Sequence, residues 1–444
     1  MRHALPLLLL WSAGIFQHAS AFMVAPGHSS SRCGTSGASG RIMKKSPPRS
    51  FAHSSSSNGS NGSNGDSDVD TTRSSTGLAK IFKDGLEMTR GGFGISAIGS
   101  ALALLLAGPS MAEGAGKRTV VLTGASSGIG LDAATKLVAM GHDVHVVCRT
   151  EAKAKAAAET SGAAGSFSCD LSSLESVRGF VDAWGGKPID TLCLNAGMAP
   201  NTKGSPAYSA EGFEETIGTN HLGHFLLANL LIKPLEAGAL RQPRLVVTAS
   251  SVHDPDTPGG NQGSKATLGD LSGLERYLAA DGESRKFDMV DGGEYDGDKA
   301  YKDSKLCNVF FTREAQRRLS ARRSAVKVDC FSPGLIPSTG LFRNQNPLFS
   351  KIFDFAATNI LKASIHFIVA ATVGQGGDTV VKMVTELSLQ DGAMGGRFFS
   401  TAPGKPDSAF SEQAVSVEAQ DTAKGKRLWE LSARCVGLNP KTPI

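Results

Sequence analysis

Apolar residues recur along the chain in short continuous runs, each closed by glycine or polar residues, and the pattern is regular from residue 117 onward. The run "TVVLTG" (119–124) predicts a buried strand, "LDAATKLVAMG" (131–141) a helix that stops at glycine, and "DVHVVCR" (143–149) a second strand. Further buried strands are predicted to end at "SCDLSS" (168–173) and "DTLCLNAG" (190–197). This alternation predicts an α/β fold with an open sheet, and we take residues 117–444 as its single domain.

The first 76 residues do not follow this pattern. A basic start with an apolar core, "MRHALPLLLLWSAGIF" (1–16), and the small residues of "ASAF" (19–22) predict a secretory signal peptide over residues 1–21. Residues 22–76 are rich in Ser, Gly and Arg and hold no acid before Asp66, which predicts a disordered segment of transit-peptide type. A signal peptide followed by Phe22 and a transit peptide resembles the leader of proteins imported into plastids with extra envelope membranes.

Residues 77–116 form a predicted linker that holds a second apolar run, "GISAIGSALALLLAGPSMA" (94–112). The run is barely long enough to span a bilayer, and its glycines weaken it as a membrane helix. Three interpretations are open: a second targeting signal cleaved near Ala112, an anchor on a membrane surface, or an additional helix. We favour targeting or thylakoid-membrane attachment over a plain structural helix.

The composition of the chain argues against nucleic-acid binding and against a metal site formed by cysteines. The chain has 444 residues, of which 40% are hydrophobic and 20% charged, and its net charge is +5. Residues 1–76 carry seven Lys or Arg and three Asp, so most of the net positive charge lies in the leader and nothing in the domain indicates nucleic acid. The seven Cys form neither a CxxC pair nor a zinc spacing, which predicts buried, reduced thiols and no metal site.

A glycine-rich turn, "GASSGIG" (124–130), follows the first strand and opens the first helix. Gly124, Gly128 and Gly130 let the backbone approach a pyrophosphate at the helix N-terminus, where free N–H groups and the helix dipole favour an anion. The strand–turn–helix context makes the pattern a strong indication of a dinucleotide site. The contacts expected here come from Thr123, Gly124, Ser126, Ser127, Gly128, Ile129 and Gly130.

The end of the second strand discriminates between the two nicotinamide cofactors. NAD sites place an acid there for the ribose 2′-hydroxyl, whereas this chain has Arg149, with Lys153 close behind. Because Arg binds a 2′-phosphate through a bidentate fork, the sequence predicts NADPH. The next two strand ends add expected contacts, to the adenine from Asp170 and its neighbour Leu171, and to the ribose from Asn195, Ala196 and Gly197.

Tyr301 and Lys305 lie one helical turn apart, so their side chains reach the same place. A nearby ammonium lowers the pKa of a tyrosine hydroxyl, which could then pass a proton to a substrate at neutral pH. The spacing alone is weak, because it occurs by chance in many helices. His221 and His224 are three apart on a predicted helix without a third ligand nearby in the sequence, which favours helix packing over metal binding.

Together these residues resemble the short-chain dehydrogenase/reductase family over residues 117 to about 345. The resemblance implies a single Rossmann-like domain, a doubly wound parallel sheet of about seven strands with helices on both faces. It implies Tyr301 as proton donor and Lys305 as the residue that lowers its pKa and holds the ribose. It also implies Ser250, or else Ser251, as the residue that orients the substrate, and Asn220 as the holder of a relay water. The expected cofactor contacts also include Tyr301 and Lys305, and the family's "SPG" match (332–334) extends them to Pro333, Gly334, Ile336 and Thr339.

Ser250 and Tyr301 are 51 residues apart, far more than in ordinary members, which indicates an insertion at about residues 253–298. The insertion and its surroundings resemble the light-dependent protochlorophyllide oxidoreductases. The similar stretches are "SAEGFEETIGTNHLGHFLL" (209–227), "KATLGDLSGL" (265–274), "DGGEYDGDKAYKDSKLCN" (291–308), "STGLFRNQNPLF" (338–349) and "SAFSEQ" (408–413). Those enzymes use NADPH and light to reduce the C17=C18 double bond of protochlorophyllide.

Two segments each allow a purely structural interpretation and a functional one. The acids of the insertion belong either to a solvated loop or to a loop that closes over a flat pigment; they are Asp291, Glu294, Asp296 and Asp298. The apolar stretch 346–371 has helical spacing and is interpreted as core in preference to a pigment lid or membrane-facing helix.

The resemblance also has departures. Ser332 and Leu335 stand where those reductases have Tyr and Cys, and "NAGMAP" (195–200) lacks their second Ala and nearby Tyr. On the resemblance as a whole, the leading hypothesis is an NADPH-dependent protochlorophyllide reductase of the plastid. Its small-molecule partner would be a tetrapyrrole, and a homo-oligomer is an open option. The alternatives are a plastid paralogue that reduces another pigment or a retinol-like carbonyl, and a non-catalytic, NADPH-bound pigment carrier.

Overall fold

The computed structural model describes residues 116–200, 204–240, 242–334, 336, 372–386, 395–401 and 409–441, apart from the side chain of Glu283. Several sequence predictions lie outside the described residues. They are the signal peptide and transit segment, the apolar run 94–112, the stretch 346–371, and the two positions Leu335 and Thr339. Within the described ranges, no helix combines the length and the apolar character that crossing a bilayer requires.

The described residues confirm an α/β fold built on one sheet. Its strands are β1 (Thr119–Thr123), β2 (Asp143–Cys148), β3 (Gly165–Ser168), β4 (Thr191–Leu194), β5 (Arg244–Thr248), β6 (Lys327–Phe331), β7 (Phe398–Ser400) and β8 (Ser411–Gln413). The order across the sheet is β3-β2-β1-β4-β5-β6-β7-β8. The first seven strands are parallel, and β8 pairs antiparallel with β7. The short edge strand β8 was not predicted, because its three polar residues carry no apolar pattern.

Helices cover both faces of the sheet. They are α1 (Gly128–Ala139), α2 (Glu151–Ser161), α3 (Leu174–Trp184), α4 (His224–Glu236), α5 (Ser272–Ala279), α6 (Gly297–Ala321), α7 (Val373–Thr385) and α8 (Thr422–Cys435). One core lies between the sheet and α1, α2 and α7, and the other between the sheet and α3, α4, α6 and α8. Val120 and Leu122 of β1 enter the first core and Val121 enters the second, which is why the strand is apolar throughout.

The reversal of strand order between β1 and β4 creates the crevice in which open α/β sheets bind ligands, outside the carboxyl ends of the strands. The glycine-rich turn leaves β1 at this edge, and the segments that follow β2, β4 and β5 start from it. The predicted site residues therefore converge on one edge of the sheet.

The insertion, residues 253–298, is folded for the most part. It contains α5 and a one-turn 3₁₀ helix, Gly282–Ser284. Tyr277 and Phe287 of the insertion pack against Phe213, with ring centroids 4.9–6.0 Å apart. Leu268, Leu274 and Val290 are also buried in the common core, so the insertion is joined to the domain by apolar packing rather than by its ends alone.

Candidate active site

The glycine-rich turn is shaped by close backbone contacts. Gly124 has a φ of +72°, and a Cβ on it would lie 2.6 Å from the Ala196 Cα. A Cβ on Gly130 would lie 2.4 Å from the Gly124 carbonyl oxygen, and Gly128 has a φ of +58°. Any side chain at Gly124 or Gly130 would thus displace the backbone, so the turn requires glycine there. The absence of side chains lets a ligand approach the backbone itself.

Helix α1 begins directly under this turn with an open N-terminus. Ser127 occupies the N-cap position, yet its side chain makes no capping hydrogen bond, and the first turn contains no acid. Ser126 and Ser127 are exposed, whereas Ile129 is half-buried. The first N–H groups of a helix lack partners within the helix and attract anions, so this geometry fits a dinucleotide pyrophosphate.

Thr123 joins the end of β1 to the end of β4. Its Oγ1 accepts hydrogen bonds from the backbone N–H groups of Asn195 (2.9 Å) and Ala196 (3.0 Å). The Asn195 Nδ2 donates to the Thr123 carbonyl oxygen at 2.9 Å. These bonds hold the "NAG" segment against the glycine-rich turn, as one continuous floor for a cofactor.

The residues expected to select the cofactor are exposed at the ends of β2 and β3. Neither the Arg149 nor the Lys153 side chain has an acidic partner within the described part of the chain, and both face solvent. The Asp170 carboxylate accepts from the Ser172 N–H (3.0 Å) and hydroxyl (2.7 Å), and Leu171 is buried beside it. Arg149, a cation directly after β2, fits a 2′-phosphate better than a 2′-hydroxyl, for which an acid would be expected at that position.

Tyr301 and Lys305, the pair that the sequence predicts to be catalytic, lie on α6. Lys305 is 3% exposed, and its ammonium lies 5.5 Å from the Tyr301 ring centroid and 3.4 Å from the Thr248 carbonyl oxygen. Burial lowers the pKa of the Lys305 ammonium to about 8. The spacing of the two residues predicts that this ammonium lowers the pKa of Tyr301, but burial raises the pKa of the Tyr301 hydroxyl. The side chain of Tyr301 is nevertheless partly exposed, so a substrate can reach it.

Asn220 lies in a π-helical turn, Gly218–Gly223, immediately before α4. Its Oδ1 accepts from the Met198 N–H at 2.8 Å, and its Nδ2 donates to the Met198 carbonyl (2.9 Å) and the Ser304 hydroxyl (3.0 Å). A Cβ on Gly197 would lie 3.4 Å from both the Asn220 Oδ1 and the Lys305 Nζ. Gly197, Asn220 and Lys305 thus lie next to one another at this edge of the sheet.

Ser250 follows β5 at the same edge of the sheet. Its Oγ accepts a 3.4 Å hydrogen bond from the Val252 N–H, and its carbonyl accepts from the His253 Nδ1 at 2.7 Å. The His253 Nε2 accepts from the Ser416 N–H at 3.3 Å, so His253 ties this turn to the C-terminal segment. The alternative candidate, Ser251, has its Oγ 3.2 Å from the Ser400 Oγ, which engages it with β7. Both hydroxyls thus have a partner, and the Ser250 contact is the longer of the two.

The segment after β6 carries the remaining predicted contacts. Ser332 is buried, and its N–H donates to the Phe399 carbonyl at 2.8 Å. Pro333 is half-buried, and Gly334 has a φ of +90°. A Cβ on Gly376 of α7 would lie 2.3 Å from the Ile336 Cδ1 and 2.4 Å from the Ile129 Cγ2. The Ile336 side chain therefore lies close to that of Ile129 in the first turn of α1.

The acidic run before Tyr301 organises the start of α6. The Asp296 Oδ1 caps the helix by accepting from the N–H groups of residues 298 and 299, and its Oδ2 accepts from the Ser264 hydroxyl. Lys302 donates to Asp298 (2.8 Å) and to the Ser264 carbonyl (2.7 Å). These contacts fasten the insertion to the helix that carries Tyr301, so Asp296 and Asp298 have structural partners as well as partial exposure to solvent.

A largely buried cluster of three charged residues in this region is not predicted by the sequence. The Lys299 ammonium forms ion pairs with Asp291 (2.9 Å) and Asp303 (2.5 Å), and Asp303 also accepts from the Thr267 N–H. Burial raises the pKa of the Asp303 carboxyl to about 7. The i, i+4 spacing of Lys299 and Asp303 was the available signal, but the burial that makes the pair strong is a property of the fold.

Other candidates have structural roles. His221 and His224 are buried in the domain, and no group of three His, Cys, Asp or Glu able to hold a metal exists among the described residues. The six described Cys are buried and unpaired, and burial raises the pKa of each thiol. These thiols are therefore poor nucleophiles at neutral pH.

Known proteins are similar to this chain both over part of the domain and over most of its length. The family model for short chain dehydrogenases matches residues 118–266. Chloroplastic protochlorophyllide reductase of Cucumis sativus is 39% identical over 329 residues, which cover 72% of this chain and 78% of the relative. Protochlorophyllide reductase of Avena sativa is 40% identical over 72% of this chain and 99% of the relative. The corresponding protein of Chlamydomonas reinhardtii is 39% identical over 73% and 79%.

Among solved structures, an uncharacterized protein from Mycobacterium Paratuberculosis matches with a TM-score of 0.51. It is 28% identical, and the match covers 72% of this chain and 94% of that protein. The sequence relatives thus extend the similarity well beyond the region that the family model matches, through the insertion and α6.

Proposed function

The chain belongs to the short-chain dehydrogenase family, as do the protochlorophyllide reductases to which it is similar over most of its length, and from this we propose that it reduces protochlorophyllide to chlorophyllide with NADPH. Family membership makes it an oxidoreductase with a nicotinamide cofactor and a small-molecule substrate. The identity of the substrate, the choice of NADPH and the use of light are parts of the proposal.

The observation that carries the proposal is the meeting of Tyr301, Lys305 and Asn220 beside an open glycine-rich turn. NADPH would be held by the backbone of that turn, by Arg149 at its 2′-phosphate and by Lys305 at its ribose, and when bound it supplies the hydride. Tyr301 would donate the proton that the second carbon of the reduced double bond needs. The Lys305 ammonium would stabilise the tyrosinate that remains, since a cation close to a phenolate favours the charged form.

Ser250 and Asn220 would act as supporting residues. Ser250 would orient the substrate through its hydroxyl, and Asn220 would hold a water that returns a proton toward Lys305. The hydrogen bonds of Asn220 to Met198 and Ser304 fix its position beside Lys305 before any ligand binds. Such preorganisation lowers the cost of assembling the site during the reaction.

The proposed compartment is the plastid, with import through extra envelope membranes by the leader in residues 1–76. The chloroplastic relatives support a plastid. Attachment to the thylakoid through residues 94–112 and assembly into a homo-oligomer are further parts of the hypothesis.

One observation favours a second candidate function. Ser332 is buried at a position where the resembling reductases carry a tyrosine, and Leu335 replaces their cysteine. A plastid paralogue that reduces another pigment or a retinol-like carbonyl would explain both changes, because the cofactor half of the site is unaffected by them. The intact Tyr301 and Lys305 pair argues against a carrier without turnover.

The deciding experiment supplies purified protein with NADPH and protochlorophyllide and compares illuminated with dark samples. The proposed function predicts chlorophyllide in the illuminated sample only, and less than one tenth of it with NADH. A light-independent reduction of a different pigment or aldehyde would establish the second candidate. Bound protochlorophyllide without any product under either condition would indicate the carrier.

A further inference from the structure

His224 lies between two parts of the candidate site that the sequence treats as separate. It is the first residue of α4 and is 2% exposed. Its Nε2 lies 3.0 Å from the Thr123 Oγ1, and its Nδ1 lies 3.2 Å from the Asn220 carbonyl oxygen. One imidazole thus connects the cofactor floor at the end of β1 with the π-helical turn that carries Asn220.

The partners fix the tautomer of the ring. A carbonyl oxygen can only accept, so the Nδ1 must carry the hydrogen that it donates to Asn220. Burial, together with the nearby Lys305 and His221, lowers the pKa of His224 to about 3, so the ring is neutral and the Nε2 is an acceptor. The hydroxyl of Thr123 therefore donates to His224.

This direction completes the hydrogen bonding of Thr123. Its oxygen accepts from the N–H groups of Asn195 and Ala196, and its single hydrogen goes to the His224 Nε2. The Cys193 carbonyl, at 3.3 Å, is the other acceptor within reach of that hydrogen. A hydroxyl with all three of its positions occupied cannot rotate freely, so His224 holds the floor on which a nicotinamide cofactor would rest.

The other side of the ring acts on Asn220. Its carbonyl receives the Nδ1 hydrogen, while its side chain contacts Met198 and Ser304, and the Ser304 hydroxyl donates to the Tyr301 carbonyl at 2.6 Å. A chain of hydrogen-bonded residues therefore runs from Thr123 through His224, Asn220 and Ser304 to the backbone of Tyr301, with the Asn220 residue itself joining its backbone carbonyl to its side-chain amide. His224 is the link in this chain that joins cofactor and proton transfer.

We propose that His224 is a positioning residue, which sets the cofactor floor through Thr123 and the proton-relay turn through Asn220. The inference rests on the proposed function, because it presumes NADPH at the floor and proton transfer at Tyr301. It assigns two separable effects to two nitrogen atoms of one side chain. A residue that only filled space in the core would show one effect, on stability.

Two variants separate the two nitrogens. In His224→Asn the amide nitrogen lies near the position of Nδ1, so it keeps the donor to Asn220 and loses the acceptor for Thr123. In His224→Gln the amide oxygen lies near the position of Nε2, so it keeps the acceptor and loses the donor. A hydrogen bond contributes about 1 kcal/mol, roughly a fivefold change in a binding or rate constant. We expect His224→Asn to raise the NADPH Kd about fivefold with little change in kcat, and His224→Gln to lower kcat by a similar factor with little change in Kd.

His221 provides the matched control. It is equally buried and one turn away, but its Nε2 contacts the Ser432 Oγ of α8 at 3.0 Å and its ring neighbours Asn308. The His221→Asn and His221→Gln variants should lower the melting temperature about as much as the His224 variants and leave both the NADPH Kd and kcat near the wild-type values. The same loss of Kd and kcat in both pairs of variants would overturn the proposal.

A double-variant cycle tests the Thr123 contact without turnover. Thr123→Ala should weaken NADPH binding, and adding His224→Asn should weaken it little further, because the two groups share one hydrogen bond. Additive losses would overturn the link. The Kd is measured by titration of NADPH fluorescence, which does not depend on turnover. The cycle therefore gives a result even if the wild type binds NADPH and leaves protochlorophyllide unchanged. That last outcome would refute the proposed function and not the role of His224 at the cofactor floor.

Discussion

The Lys305 ammonium lies 5.5 Å from the Tyr301 ring centroid, over its face, and its described polar contact is the Thr248 carbonyl at 3.4 Å. The pair shares a single helix face, and burial shifts both groups toward their neutral forms. Burying the Lys305 ammonium therefore destabilises the folded protein, and this loss of stability can be measured.

Lys305→Met should stabilise the ligand-free protein and abolish its activity. Burial lowers the pKa of Lys305 to about 8, whereas a lysine in the unfolded chain titrates near ~10.4. Below pH 8 both states carry the proton, and the full penalty of the buried charge applies. Between these two values the unfolded chain binds more protons, so the wild type gains stability as the pH rises. The variant should be more stable at pH 7 by on the order of 2–3 kcal/mol, and the advantage should shrink toward pH 10.

Chemical denaturation at pH 7 and pH 9.5 measures this difference. Lys302→Met is the control, because Lys302 is also buried but is paired with Asp298. It should lower stability at both pH values. A Lys305→Met protein less stable than the wild type at pH 7 would show that the ammonium is compensated in the native state.

Tyr301→Phe should lower the rate of chlorophyllide formation by about 10²–10⁴-fold, the range typical of general acid catalysis. The NADPH Kd should change by no more than about fivefold, the effect of losing one hydrogen bond to the cofactor. Tyr277→Phe makes the same chemical change in the insertion, where it removes a 2.9 Å bond to the Glu211 carbonyl. It should cost about 1 kcal/mol of stability and leave the rate intact. Product formed per flash is the measurement, and a fully active Tyr301→Phe would contradict the mechanism.

Arg149→Ala should weaken NADPH binding roughly ten- to a hundredfold and leave NADH binding nearly unchanged, because a charge-assisted hydrogen bond contributes about 1.5–3 kcal/mol. Lys155→Ala is the control. It removes an exposed cation two residues beyond Lys153 on the same helix and should affect neither cofactor. Both Kd values follow from titrations of cofactor fluorescence. Equal losses for NADPH and NADH would rule out recognition of the 2′-phosphate by Arg149.

Asp303→Ala should destabilise the protein by about 1–3 kcal/mol, because it leaves the Thr267 N–H without its acceptor while Asp291 still pairs with the Lys299 ammonium. The double variant with Lys299→Met should recover part of this loss. The exposed pair of Arg427 and Glu275, 46% and 45% exposed, is the contrast, and Glu275→Ala should cost less than about 1 kcal/mol. Urea denaturation compares the three proteins, and a double variant no more stable than Asp303→Ala would show that packing, not charge, sets the loss.

The sequence predicts most of the cofactor half, because its signals are local. The glycines, the apolar strands and the cation at Arg149 each reflect a requirement of the nearby backbone or ligand. The relations that organise the catalytic half are not local. His224 meets Thr123 across 101 positions, and His253 meets Ser416 across 163. The same limit explains the pKa of Tyr301, since the spacing to Lys305 is visible in the sequence and the burial of both is not.

The contact between His253 and Ser416 also affects how the protein folds during its synthesis. A growing chain can assemble β1 to β6 and present Ser250 at the edge of the sheet, but the N–H that holds His253 belongs to a residue synthesised much later. Until residue 416 is available, His253 lacks the hydrogen bond from the Ser416 N–H. A chain still being synthesised therefore does not yet hold the turn at Ser250 as the complete chain does.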